Sequence, residues 1–372
     1  MKCIFLLAAL RRYLRGRSKS DRIDALTLAK PLIDPEQLDE VYLPPAEVHA
    51  IQRLTRQRDR FEKSIAARKN RLGATIDGYL PGLRQAFDGH WSLHARVFYR
   101  CQINPITVVR AGEEALNASL EAMPHSRGSQ VEAHQVYVAC QSAVTTYTVS
   151  MLSGVVDEYF FSDLQDEIAR ELRLMEAEET EAEGLSKHIE ELYRKLHLSN
   201  NLRNIPGVGE HTAPVFLACV GNPHRFRNQS AFANWNGVVP GARQSSDVEF
   251  KGIRMTKASP TIMRCCLFLA GEVGRQWDPQ LAHVYYRAVV YHGKNHKQAM
   301  GAVMSHLASR VLAIERDGRP YELRDIEGKP VGTKGARKLI LSKYQVPKET
   351  RRERRRRNHR VVDVAVTGTK SR

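Results

Sequence analysis

The 372-residue chain contains no apolar run of 18 residues, so no segment reads as a membrane-spanning helix. Cysteine is sparse: the six, at positions 3, 101, 140, 219, 265 and 266, form no C-x-x-C pair. That spacing argues against a disulfide framework or a cysteine zinc module and for free thiols in a reducing compartment, the cytoplasm. No tandem repeat recurs. Negative charge is also in deficit, with 41 Asp+Glu against 57 Lys+Arg and a net +16, which makes an anionic polymer the leading class of partner. Twelve basic and two acidic residues between Lys334 and Arg360 hold +10 of that charge, leaving the body mildly basic. The opening "MKCIFLLAALRRYLRGR" has an eight-residue apolar run, but arginines follow at once without a small-residue cleavage site. It reads as the end of a buried element rather than a signal peptide.

What is present begins with "SKSDRIDALTLAK", residues 18–30. Asp21 and Asp24 lie three apart in a helical pattern, one turn apart on one face, where two carboxylates can hold a divalent metal. A Pro-punctuated linker, "LIDPEQLDEVYLPP", precedes a long helix expected from Ala46. Ile51, Leu54, Phe61, Ile65 and Leu72 would be its apolar face. Arg53, Arg56, Arg58, Arg60, Arg68 and Arg71 crowd the remainder, as a solvated face or a track for nucleic-acid phosphates. Residues 100–160 read as helical, broken near "INP" and "MPHSRGS". An acidic helix follows over 163–197. There Ile168, Met175, Ala182, Ile189 and Leu196 repeat every seven residues, the pattern of a coiled coil or hairpin partner that Gly184 would interrupt.

"NIPGVGEHTAPVFLACVG" carries the most chemistry. Pro206, Gly207 and Gly209 predict a tight turn before a helix starting near Glu210 or His211. In a helix-hairpin-helix, such glycines let the backbone approach a phosphate; a turn without a ligand is the plainer alternative. His211 there is either a general base or a helix-start residue. Farther on, "ARQSSDVEFKGIRMTKASPTIMRCC" puts serines after a Pro-Gly turn with Lys251, Arg254, Lys257 and Arg264 behind them. A serine needs activation to attack phosphorus, and cations offset the developing charge. His292 and His296, four apart, have a spacing that could bind zinc if a third ligand joined them. Trp235, Trp277, Tyr285 and Tyr286 read as core aromatics, and "KETRRERRRRNHR" as a tail that binds DNA or RNA with little sequence preference.

Taken in order, K-S-D-x-x-D-A, the L-x-R-x-R helix, the spacer, I-P-G-V-G-x-x-T-A, Q-S-S and T-K-A-x-P resemble the transposases of insertion-sequence family 110 (also 116/902), the DEDD transposases, over roughly residues 18–330. The resemblance implies a mostly α chain in four parts. These are the remnant of a ribonuclease-H-like α/β domain (1–35), a helical coiled-coil region (46–200), a helical transposase domain with a helix-hairpin-helix (201–330) and a basic, disordered tail (334–372). It further implies Mg²⁺ on the last two acids of a D-E-D-D quartet, Asp21 and Asp24, and a nucleophilic serine at Ser245. Gly207, Gly209, Arg254, Lys257, Arg264, Arg354, Arg355, Arg356 and Arg357 would contact nucleic acid. The partners implied are DNA, a structured guide RNA and a second copy of the chain through the spacer.

Three departures accompany the resemblance. No Asp or Glu precedes Asp21, so the first two metal ligands have no counterpart, and the magnesium site is expected to be incomplete. A truncated gene, a start placed too late, or strands from another chain would each account for that. Ser246 and Ser259 stand where the family carries glycine, which would strain a positive-φ turn. The functional readings that remain open are a strand-transfer enzyme, a catalytically inactive nucleic-acid binder, and a self-associating helical scaffold.

Overall fold

The computed structural model describes residues 42–124, 131–152, 154, 158–239, 244–245, 248–249, 255–256, 260–347 and 350. The chain divides into an inserted unit, residues 51–195, and a terminal unit formed by residues 1–50 and 196–372. The described residues are predominantly helical, with two strands of two residues each.

The described residues of the inserted unit form helices, their turns and connections. Helix α1 (Ala46–Tyr79) runs 34 residues without a proline and stops before Pro81, whose ring cannot continue a helix. Helix α2 (Leu93–Cys101) is capped by Ser92, which accepts from the Ala95 N–H. Helix α3 (Pro105–Ala111) is capped by Asn104, with Pro105 at its first position. Helices α4 (Glu113–Ala122) and α5 (Ala133–Leu152) follow, then the 39-residue α6 (Glu158–Leu196). Leu72, Ile76 and Leu80 of α1 and its end join Phe98, Tyr99, Leu120, Val136, Phe161, Ile168, Leu172 and Met175 in one core. Burial of each such side chain stabilises by roughly 1.5–3 kcal/mol.

Helices α1 and α6 run antiparallel. Ser64 donates to Glu178, Arg68 pairs with both Glu178 and Glu171, and Arg71 lies 3.7 Å from Glu171, so partner numbers fall as α1 advances. Of the two readings of the α6 repeat, this is the hairpin partner. The apolar seam of α6 is closed by its own chain through Ile168 and Met175, so that part of the seam is not open to a second copy. Gly184, moreover, does not interrupt the helix. The arginines of α1 also split: Arg58 is buried, Arg68 is spent on α6 carboxylates, and Arg53, Arg56 and Arg60 stay exposed.

In the terminal unit, a 3-10 turn (Asn201–Asn204) leads to α7 (Ala213–Val220), α8 (Gln229–Asn236), strands β1 (Gln244–Ser245) and β2 (Val248–Glu249), and α9 (Thr261–Gly274). Then come α10 (Pro279–Tyr286), a π turn (Arg287–Tyr291), α11 (His296–Asp317) and α12 (Thr333–Lys343). Helix α11 is the axis of the unit: Met300, Val303, Leu307, Val311 and Leu312 are buried, and α8, α9 and α10 pack on it. Gly271 permits the approach of α9, since a Cβ there would sit 3.2 Å from Met300 and Val303. The segment expected to be a disordered tail from residue 334 begins as α12, which buries Ala336 and Ile340.

Candidate functional site

The I-P-G-V-G turn is built against α9. Gly207 has φ +89°, and a Cβ on it would lie 2.1 Å from the Ala270 carbonyl oxygen; a Cβ on Gly274 would lie 2.7 Å from the Pro206 carbonyl oxygen. Two glycines thus let turn and helix touch backbone to backbone. Gly207 is therefore required by the packing of the turn on α9. Gly209 faces open space. Its N–H donates to Thr212 Oγ1 at 2.9 Å, and its carbonyl accepts from the N–H groups of Thr212 and Ala213. Helix α7 consequently starts at Ala213, with Thr212 rather than His211 at the N-cap. Glu210 and His211 are exposed at the tip.

Ser245 lies in β1, paired antiparallel with Val248 of β2; Gln244 faces Glu249. The two sides of this segment meet at its base, where the Thr256 N–H donates to the Val239 carbonyl at 3.2 Å. Met255 lies on α11 at Gly301, where a Cβ would come within 2.3 Å of its Cε. The serine segment therefore leaves the end of α8 and returns beside α11 before α9 starts. Arg264, in the first turns of α9, is half-buried and donates to Thr261 Oγ1 at 3.3 Å. Asp21, Asp24, Arg254, Lys257, Arg354, Arg355, Arg356 and Arg357 lie outside the described residues, as do Ser246 and Ser259 with their turn geometry.

Among the described residues no group of three or more His, Cys, Asp or Glu gathers as a metal site. His296 is held by Glu272 and Tyr285, so the His292–His296 spacing does not make a zinc pair. Trp235 packs edge-on to Phe226 and against Phe232, under the guanidinium of Arg225, which burial pushes below the usual arginine range. Trp277, expected in the core, is 40% exposed and carries Arg337 at 5.1 Å over its ring.

A buried polar cluster escaped the sequence reading. Asp278 caps α10 by accepting from the Gln280 and Leu281 N–H groups, while its other oxygen accepts from the Tyr321 hydroxyl at 2.5 Å. Arg310 donates to Tyr321 at 2.8 Å and to Gln280 at 3.0 Å. Burial pushes the Tyr321 phenol up to about 12. Asp278 directly before Pro279 was a readable N-cap signal; its partners 32 and 43 residues away were not.

Two family models match the chain. One, described as "Transposase IS116/IS110/IS902 family", covers residues 199–287; the other, described as "Transposase" and of the DEDD type, covers residues 6–81. Over 141 residues the chain is 30% identical to "Insertion element IS110 uncharacterized 43.6 kDa protein" of Streptomyces coelicolor, a stretch that is 38% of this chain and 34% of that one. It is 25% identical over 128 residues to a "Pilin gene-inverting protein" of Moraxella bovis, covering 34% of this chain and 40% of the relative. A protein of the same description from Moraxella lacunata is 25% identical over 123 residues, 33% of this chain and 38% of the relative. The chain thus spans between a third and two fifths of the length of these curated relatives.

Proposed function

Because the chain belongs to the IS116/IS110/IS902 transposase family, we propose that it is a DNA strand-transfer recombinase whose reactive group is Ser245. The observation that carries this reading is the position of Ser245. The residue lies inside the matched stretch 199–287, on a hairpin segment whose two sides are hydrogen-bonded together beside α11. A short strand held at its base can present a hydroxyl repeatedly in one place, as in-line attack requires.

In the proposed step Ser245 Oγ attacks phosphorus, a phosphoserine bond forms, and the sugar 3′-oxygen leaves with a proton. Arg254, Lys257 and Arg264 offset the charge on the non-bridging oxygens. Phosphates along the DNA engage Arg354 to Arg357, and a structured RNA guides the choice of strand. Magnesium, where bound, would be held by Asp21 and Asp24 and would polarise the phosphate. Among the described residues no group of three or more His, Cys, Asp or Glu gathers as a metal site, and Asp21 and Asp24 lie outside them.

The test is strand transfer on DNA carrying both ends of the encoding element, with Mg²⁺ present. Ser245→Ala is expected to lower the joined product by about 10³-fold or more, as for loss of a nucleophile; undiminished product would sink the reading. The scaffold alternative, resting on residues 163–197, has part of its seam taken up by α1. Retained DNA binding at moderate salt after removal of residues 334–372 would count against it further.

A further inference from the structure

Three helices of the terminal unit bring a second reactive set together away from the serine hairpin. Tyr285 of α10 places its hydroxyl 3.0 Å from Nδ1 of His296, the first residue of α11. His296 Nε2 lies 2.7 Å from Glu272 Oε1 of α9. On the other carboxylate oxygen, Arg275 donates from Nε at 3.1 Å and from Nη2 at 2.6 Å. Its guanidinium carbon stands 4.3 Å from the centre of the Tyr285 ring. Phe268 meets the imidazole edge-on, fixing its plane.

In the tautomer whose lone pair is on Nδ1, the Tyr285 hydroxyl donates to it, and Glu272 stands at ion-pair distance from Nε2. The result is a hydroxyl at hydrogen-bonding distance from a base, with a carboxylate 2.7 Å from the base's other nitrogen to pair with the imidazolium that forms. Local architecture does not require the set. Asn295 and Gln298 already close the start of α11 with a capping box. Backbone bonds from His292 to Arg287 and from Lys294 to Ala288 close the π turn. Such a turn, beginning two residues after Tyr285, is a feature that concentrates at functional sites. His296 is 46% exposed, so the set opens to solvent, with Arg287 and Lys297 exposed beside it.

We propose that Tyr285 is a second phosphodiester-reactive hydroxyl of this protein, activated by the His296–Glu272 pair and acting on nucleic-acid phosphodiesters. The inference rests on reading the chain as a phosphoryl-transfer protein. Tyr285 Oη forms a bond to phosphorus and the bond from phosphorus to the departing alkoxide breaks. The phenolic proton passes to His296 Nδ1, and the resulting imidazolium is paired with Glu272. The leaving oxygen then takes that proton or departs as an anion.

The probe is bis(4-nitrophenyl) phosphate with the full-length chain in the presence of a chelator. The expected result is release of one 4-nitrophenolate per chain, with the 4-nitrophenyl phosphoryl group on Tyr285 in the tryptic peptide 276–287. Tyr285→Phe abolishes that label and His296→Gln slows it by about 10²-fold, the worth of a general base. Glu272→Gln, which removes the charge that pairs with the imidazolium, slows it less. Labelling unchanged in Tyr285→Phe or His296→Gln overturns the proposal. So does an unlabelled Tyr285 in a chain whose melting temperature falls in both variants, the outcome of a purely structural contact. Label only on peptide 244–251, which holds Ser245, overturns it while leaving the proposed function standing. A labelled Tyr285 without strand transfer on DNA does the reverse.

Discussion

Gly207 and Gly209 are two residues apart in one motif and do different work. The first has positive φ and sits against the Ala270 carbonyl; the second faces open space. Gly207→Ala is expected to destabilise the terminal unit by about 3 kcal/mol, from left-handed strain and a displaced helix. Gly209→Ala should cost under about 1 kcal/mol, and calorimetric melting of the two variants separates them. Asp77 gives a pH prediction of defined sign. The hydrogen bond from Arg84 holds its carboxyl below the usual aspartate range. The unfolded chain therefore binds the proton more readily. The pair's contribution is complete above about pH 4 and is lost as pH falls through the lowered value. Asp77→Asn should lower the melting temperature at neutral pH, and the difference from the parent chain should close as pH falls through the lowered value.

At the scale of elements, α6 marks both how far sequence reading reached and where it stopped. Its seven-residue period predicted the helix, and Ile168 and Met175 are buried as a seam should be. Whether a seam faces its own chain or another copy depends on which helix lies opposite, and α1 is about a hundred residues away in sequence. The arginines of α1 were ambiguous for the same reason: only their partners on α6 distinguish a phosphate track from an internal ion-pair ladder. Leu172→Ala, a fully buried change, is expected to cost the inserted unit about 2–5 kcal/mol. Leu196→Ala, at the half-exposed end of the repeat, should cost under about 1 kcal/mol. Chemical denaturation reads both. The serine motif was legible as a string of residues, whereas the Val239–Thr256 bond at the base of its segment arises from tertiary structure. The Tyr285–His296–Glu272 set joins residues from three helices, and only the H-x-x-x-H spacing hinted at it.

Across the whole molecule, charge is divided between internal and external use. Carboxylates of α6 engage Arg68, Lys69, Arg96 and Arg100 inside the inserted unit, while the densest run of cations in the sequence lies beyond α12. Deleting residues 351–372 is expected to flatten the dependence of DNA affinity on salt, by about 0.9 in log–log slope for each phosphate that the shortened chain no longer neutralises. The fold of the terminal unit should be unaffected, because α12 is retained. The central claim, that Ser245 forms the bond to DNA, is met most directly by trapping the chain on element-end DNA, digesting with nuclease and trypsin, and locating the residual nucleotide by mass spectrometry. The account predicts a nucleotide phosphate on Ser245 in peptide 244–251, absent in Ser245→Ala; a nucleotide found only on other peptides, or an adduct that persists in that variant, would contradict it.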